Sequence, residues 1–357
     1  MVVTLRDVAK AAGVSLSTAS RALHDPDSTT EAMRQRVRQV ADELQYRPNT
    51  VARSLRTRRT DTIGLLVPDV RNPFFTDLAY SVDKAAAAAG LTVMIGNSDE
   101  STSAADRFLT NLARHQVDGL LVVPQGLASE ALEQAAADRP TVFLDRHPDL
   151  PGVSEADVPV VTSGDTDGMV ALIDHVVAQG YRRIGFISGP TTASTGRARH
   201  AAFVRRLGDL GLPNDESLVA YGDFRLQSGL CAAEELLARP RRPDAIIAAD
   251  NPMALGVLTE LRRRRLRIGR DIGFAAIDDN PWFEVIDPPV TVVAHDTMRM
   301  ARTAISALVD LIEGRPATST VIPTRLVVRQ SLGEPATDPE NALVSPLDET
   351  PEVTRRG

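Results

Sequence analysis

The chain has a single cysteine, Cys231, in 357 residues. A lone thiol cannot form an internal disulfide, and a reducing, cytoplasmic setting is the simplest expectation. No run of eighteen apolar residues occurs, so no membrane span is expected. The N-terminus lacks the charged-then-apolar pattern of a signal peptide. Lysine is almost missing, with only Lys10 and Lys84 beside abundant arginine. That bias reads as genomic composition and carries no functional conclusion. Catalytic signatures are missing too: there is no G-x-S-x-G, no P-loop and no H-E-x-x-H. The dinucleotide fingerprint G-x-G-x-x-G is absent, which argues against a dehydrogenase. The six histidines show no metal-ligand spacing. Neither an enzyme nor a cofactor is expected.

What is present is ordinary in bulk and uneven in distribution. Hydrophobic content of 43% and charged content of 24% suit a globular protein with two or three domains. Residues 1–60 carry Lys10 and ten arginines against six acids, a net of +5, while the remainder carries −12. A basic head on an acidic body fits a DNA contact at one end, or simply a solvated charged surface.

The head has an internal logic. Leu5, Val8 and Ala9 form an apolar stripe for a short helix. Ala12-Gly13-Val14 supplies a turn in which Gly13 can take a positive φ. Ser15 is an N-cap candidate for a second helix. Two helices about such a turn make a helix-turn-helix, whose second helix enters the major groove. Met33, Val37, Val40, Ala41 and Leu44 mark a third helix.

The run Leu5 to Arg21 reads L-x-D-V-A-x-x-A-G-V-S-x-x-T-x-S-R. It is followed by Tyr46-Arg47-Pro48-Asn49 and Val51-Ala52-Arg53-Ser54-Leu55. These residues resemble the LacI/GalR family of bacterial transcription repressors, and the resemblance extends to about Gly333. It implies an all-α helix-turn-helix DNA-binding domain over 1–48 and a hinge helix and linker over 49–60. An α/β periplasmic-binding-protein-like core of two Rossmann-like lobes would follow over 61–333. Its lobe crossings would fall near 162, 292 and 322. Apolar runs such as Ile63–Val67 and Ile184–Ile187, alternating with helical patterns, independently point to parallel sheets covered by helices. The Pro-, Glu- and Asp-rich stretch 334–357 reads as a disordered tail. It lacks the leucine heptads by which some relatives form tetramers, so a homodimer is expected.

By resemblance, Leu16, Ser17 and Arg21 face the bases. Arg21 suits bidentate bonding to guanine, or a phosphate. Ser15, Thr18 and Ser20 suit phosphates or caps. Asn49 would cap the hinge helix, and Ala52 would let two hinges pack. Leu55 would wedge into the minor groove or pack on the core, with Arg56 reaching the same groove. In the core, Phe74 and Phe75 either stack on an effector or belong to the interior. Arg199 and Asp278 match a family pair that holds effector hydroxyls, unless they bond directly to each other. Phe224 matches an aromatic wall. Asp250-Asn251 stands where many relatives have Asn-Asp, and Gly164-Asp165 where many have Asp-Asn, so effector identity does not carry over. Leu255 and Trp282 are dimer candidates, or core.

The resulting expectation is a cytoplasmic, dimeric, ligand-responsive repressor of a near-palindromic DNA operator. A sugar or sugar phosphate is the first effector class and a nucleobase the second. The alternatives are a sugar-binding receptor without a DNA role and an enzyme with a DNA-binding head. The basic head opposes the former and the missing catalytic set the latter.

Overall fold

A computed structural model describes residues 3–24, 29–46, 59–126, 129–148, 150, 158–213 and 216–333. The hinge candidates Asn49, Ala52, Leu55 and Arg56 and the stretch 334–357 lie outside the described residues. The chain divides between Thr60 and Asp61 into two compact units, and each is considered by itself.

In the first unit, helices α1 (Leu5–Ala12), α2 (Leu16–His24) and α3 (Glu31–Glu43) enclose a small core. The Thr4 amide donates to the Asp7 carboxylate at 2.9 Å, which starts α1. Gly13, at φ 69°, ends it in the left-handed region that glycine occupies without a Cβ penalty. The Thr18 amide then donates to Ser15 Oγ at 3.1 Å and starts α2. Val8, Ala9, Ala12, Ala19, Ala22, Val37 and Ala41 are buried together. Small side chains at the helix contacts let three short helices converge. Full burial of Val8 and Val37 stabilises by roughly 1.5–3 kcal/mol each.

The second unit holds two six-stranded sheets. In the first lobe the strands are β1 (Thr62–Val67), β2 (Thr92–Asn97), β3 (Gly119–Val122), β4 (Thr141–Leu144), β5 (Val160–Ser163) and β11 (Thr320–Ile322). Their order is β11-β5-β4-β3-β1-β2, all parallel. In the second lobe they are β6 (Ile184–Ser188), β7 (Val219–Tyr221), β8 (Ala245–Ala248), β9 (Gly273–Ile277), β10 (Thr291–Ala294) and β12 (Arg325–Val327). That order is β12-β10-β9-β8-β6-β7, with only β12 antiparallel. Central strands such as β3, β6 and β9 are buried along their whole length. Burial on both faces explains why they read as continuous apolar runs rather than alternating ones.

The chain passes between lobes after β5, after β10 and between β11 and β12. The crossings are tied together: the Gly164 amide donates to Ile322 O at 2.9 Å, and Thr324 Oγ1 donates to Gly164 O at 3.1 Å. In the second lobe, the helices Leu226–Leu237 and Asn251–Arg263 meet backbone to backbone. A Cβ on Gly256 would lie 2.3 Å from Leu226 O, so no larger residue fits there without moving the helix. This contact sets the position of Phe224 and Arg225, which immediately precede the first of those helices.

Candidate functional site

In the head, Leu16, Ser17 and Arg21 are exposed on α2, with Leu16 at 47%. These three share the outward side of the helix. Ser15 caps the helix and its hydroxyl lies 2.9 Å from Ser17 Oγ and 2.8 Å from Thr18 Oγ1. Ser20, expected to serve a phosphate or a cap, is buried beside Ala19 of the head core.

In the core unit, open α/β sheets bind ligands beyond the carboxyl ends of their strands. Here ten strands deliver polar or aromatic residues to that edge. Asn72 to Phe75 follow β1, Asp99-Glu100 follow β2, Gln125 follows β3, Asp145-Arg146 follow β4 and Asp165 follows β5. From the other lobe come Arg199, Phe224-Arg225, Asp250, Asp278 and His295, after β6 to β10. Phe74, Phe75, Asp145, Arg146, Asp165, Arg199, Phe224, Asp250 and Asp278 are all buried.

The polar groups form a chain. Arg199 donates from Nε and Nη2 to Asp165 Oδ1 at 3.0 and 2.8 Å, and from Nη1 to Ala249 O at 2.7 Å. His295 bridges onward, with Nε2 3.3 Å from Asp165 Oδ1 and Nδ1 2.5 Å from Asp278 Oδ1. Arg199 therefore pairs with Asp165, while Asp278 pairs with His295; the direct Arg199–Asp278 contact considered from sequence does not form. Burial disfavours the His295 charge, but the carboxylates of Asp278 and Asp165 outweigh it and raise its pKa to about 9. Burial works against the charge of Asp165 as well, yet Arg199 and His295 keep its pKa below the usual carboxylate value.

Two further acids have cations nearby that do not offset their burial. Burial, helped by repulsion from Asp165, raises Asp145 to about 6, and its Oδ1 has no hydrogen-bond partner. Burial raises Asp250 to about 8, despite the amide of Met253 donating to it at 2.9 Å as a helix cap. Asn72 Nδ2 reaches Asp250 from the opposite lobe at 3.4 Å.

The aromatic residues resolve into a wall that is both core and cleft. Phe74 and Phe75 meet edge to face at 5.0 Å, and Phe74 lies 5.3 Å from the His295 ring. The Arg146 guanidinium lies 5.6 Å from the Phe75 centroid and 5.0 Å from that of Phe224. It is held by both oxygens of Glu100 at 2.9 and 2.8 Å. Next to this wall, a cavity of about 270 Å³ is lined by Asp145, Ser163, Asp165, Ser194 and Thr195. That is close to the lower limit of roughly 300–1,000 Å³ for small-molecule pockets, so it suits a small ring.

Backbone strain gathers at the same edge. Asp99, Glu100, Asp145, Phe224 and Asp278 all have φ between 52° and 70°. Non-glycine residues persist there only when the surroundings fix them, as at ligand clamps.

Sequence reasoning does not single out His295, Asp145, Arg146 or Glu100, and it marks Asp165 only as a departure from relatives. The signal available is positional: each follows the carboxyl end of a strand. Leu255 and Trp282 are half-buried and line one surface groove of about 890 Å³ with Leu258, Leu266, Ile286, Arg262 and Arg265. They face outward from the second lobe rather than into the cleft.

Comparison with known proteins places these features. Residues 4–49 match the model for bacterial regulatory proteins of the lacI family. Residues 173–332 match a periplasmic binding protein-like domain. The HTH-type transcriptional repressor PurR of Photobacterium profundum is 31% identical over 336 residues, covering 92% of this chain and 98% of that one. The repressor CytR of Escherichia coli (strain K12) is 29% identical over 330 residues, covering 92% and 96%. Among solved structures, a lac repressor dimer bound to operator and the anti-inducer ONPF superposes with TM-score 0.80 at 26% identity, covering 93% of this chain and all of that one. The complex of the transcriptional regulator CelR with cellobiose superposes with TM-score 0.69 at 32% identity, covering 92% and 99%. A DNA-binding helix-turn-helix and a two-lobed effector-binding core together define the chain as a transcriptional regulator, and it belongs to the lacI family of bacterial regulatory proteins.

Proposed function

We propose that the protein is a cytoplasmic, homodimeric repressor that reads a near-palindromic operator and is controlled by an uncharged, hydroxyl-rich ligand held between its lobes. One helix-turn-helix spans too few base pairs for a genomic address, and a two-fold dimer doubles the site. Leu16, Ser17 and Arg21 on the exposed side of α2 read bases, while Ser15 and Thr18 position the helix on phosphates. Asn49, Ala52, Leu55 and Arg56, which lie outside the described residues, are the further residues assigned to DNA contact at the minor groove. Leu255 and Trp282 supply the second-lobe part of the dimer contact.

The observation that carries the effector reading is the buried Arg199–Asp165–His295–Asp278 chain, placed between the lobes of a protein whose head is a helix-turn-helix. Its chemistry narrows the ligand. Arg199, His295 and Arg146 are each engaged by a carboxylate, and Asp145 and Asp250 add further acid. A phosphate would enter a site whose cations are already taken. Hydroxyls can donate to Asp145 Oδ1 and accept from neighbouring groups. A free sugar is therefore favoured over a sugar phosphate. The cellobiose complex of the similar regulator supports a sugar.

The test is a thermal-shift series in which free sugars, their phosphate esters and purines are compared on the full chain. Stabilisation by a free sugar with none from its ester supports the reading. Equal or greater stabilisation by the ester overturns it.

A further inference from the structure

We propose that Arg146 is a built-in occupant of the effector cleft, that the Asp99–Glu100 turn is the clasp holding it and the two lobes together, and that an effector opens this clasp by displacing the guanidinium. The proposal rests on the effector-cleft reading above and adds its mode of control.

Of two adjacent acids of the first lobe, Asp99 reaches Arg225 of the second lobe directly, and Glu100 reaches Phe224 only through Arg146 of its own lobe. Glu100 binds Arg146 with both oxygens, and the Arg146 guanidinium lies over the Phe224 ring at 5.0 Å. Asp99 O accepts from Arg225 Nη2 at 3.1 Å, and its Oδ1 lies 3.5 Å from the same nitrogen. Arg71 binds Asp99 Oδ1 at 2.5 Å and fixes the turn from its own lobe. So one short turn meets Arg225 directly and Phe224 by way of the Arg146 guanidinium that it holds.

The two halves of the grip differ in strength. The Arg225 and Asp99 side chains are 43% and 53% exposed, and such a pair contributes little in water. The Arg146 side chain is 3% exposed and Phe224, which it meets across the cleft, 7%, while the Arg146–Glu100 pair lies within the first lobe and holds the guanidinium in place. The buried half dominates, and it is the half lying in the aromatic slot. A cation between two desolvated rings gains from both faces.

The contact is also poised to be broken. Asp99, Glu100 and Phe224 have φ of 52°, 56° and 62°. Non-glycine residues keep such angles only where surrounding contacts fix them, as at clamps and switch regions. Arg146 Nη1 also donates to Pro124 O at 3.4 Å, but Nε has no hydrogen-bond partner and lies 3.9 Å from Asp145 Oδ2, so one donor of the guanidinium stays unused where it sits. A ring that lies on Phe224 and offers hydroxyls to Glu100 would replace both of its attractions. A clasp filled by the chain's own side chain gives the ligand a differential effect on two states, which any ligand-driven switch requires.

The clasp can be read without the ligand. Cys231 is exposed and is the chain's one cysteine. A second label at the exposed Arg107, introduced as Arg107→Cys, gives one spin label on each lobe. Pulsed electron spin resonance then reports the interlobe distance in full-length protein diluted with unlabelled copies. A single short separation is expected without ligand. Arg146→Met and Glu100→Gln should move the distribution to longer distances, and Arg225→Gln should move it less in the same direction. Arg225→Gln alters only a surface side chain, so it remains readable should a buried variant fail to fold. Distributions that coincide with the unsubstituted protein in all folded variants would overturn the clasp. Unmoved distances together with a sugar response that Arg199→Met abolishes would sink the clasp and leave the effector cleft standing.

Discussion

Asp165 Oδ1 accepts two hydrogen bonds from Arg199, from Nε at 3.0 Å and Nη2 at 2.8 Å. With Nη1 committed to Ala249 O at 2.7 Å, every nitrogen of the arginine is engaged. The residue matched to ligand binding is thus also a structural tie between the helices beginning at Asp165 and Ser194.

Removing Arg199 leaves the buried Asp165 carboxylate with only the His295 contact at 3.3 Å. Arg199→Met should destabilise the core by about 3–5 kcal/mol. Adding Asp165→Asn to that variant should recover a large part, because the orphaned carboxylate is gone. Urea denaturation of the single and double variants measures this. A single-variant loss below about 1 kcal/mol, the range of exposed pairs, would show that the site is wet rather than buried.

The cleft should lose stability in alkali. Asp250 ionises near 3.8 when unfolded but at about 8 when folded, so the folded state holds the extra proton between those values. Its contribution is fully present below 3.8 and is lost as pH rises through 8. His295 moves from 6.5 to about 9, and its contribution is full below 6.5 and lost as pH rises through 9. Both act in the same direction. The thermal midpoint of the core should fall as pH rises from 3.8 to 9, most steeply between 6.5 and 8, where both groups act. Asp250→Asn keeps an oxygen to cap Met253 and should flatten that fall. An unchanged slope in Asp250→Asn would assign the dependence elsewhere.

Arg21 is exposed on α2 and its side chain makes only a weak 3.4 Å bond to Ser17 O. That contact is easily given up for DNA. Arg21→Ala should weaken specific operator binding by about 1–3 kcal/mol and non-specific binding much less. Equal losses on both kinds of DNA would reduce Arg21 to a phosphate contact.

The outward groove should be the second-lobe seam of a dimer. Trp282→Ala or Leu255→Arg should shift the full chain toward monomer in sedimentation velocity, and weaken operator binding in parallel. A wild-type-like sedimentation profile in both variants would remove these residues from the interface.

The architecture is readable in the sequence because its local signals are unmistakable. Continuous apolar runs such as Ile184–Ile187 become strands buried on both faces, and Gly13 with Ser15 marks the turn and cap of the head. The cleft is less legible. Arg199, Asp278, Phe224 and Asp250 do meet at one edge, but the sequence cannot say which acid takes which cation. That choice depends on the loop after β5 bringing Asp165 to Arg199, a contact across 34 residues. His295 is invisible as a functional residue because its role arises only where a lobe crossing lays it between Asp165 and Asp278. Arg146 is hidden for a similar reason: the loops after β2, β4 and β7 bring it together with its partners, and no local pattern connects them.

The most direct test of the account is operator binding by fluorescence anisotropy, with DNA first selected by the protein from a random pool. The selected DNA should converge on a near-palindrome, and a free sugar identified by thermal shift should change its affinity. Arg199→Met should retain operator binding and lose that change. Selected DNA without two-fold symmetry, or a sugar response that persists unchanged in Arg199→Met, would contradict a dimeric repressor governed from the cleft between its lobes.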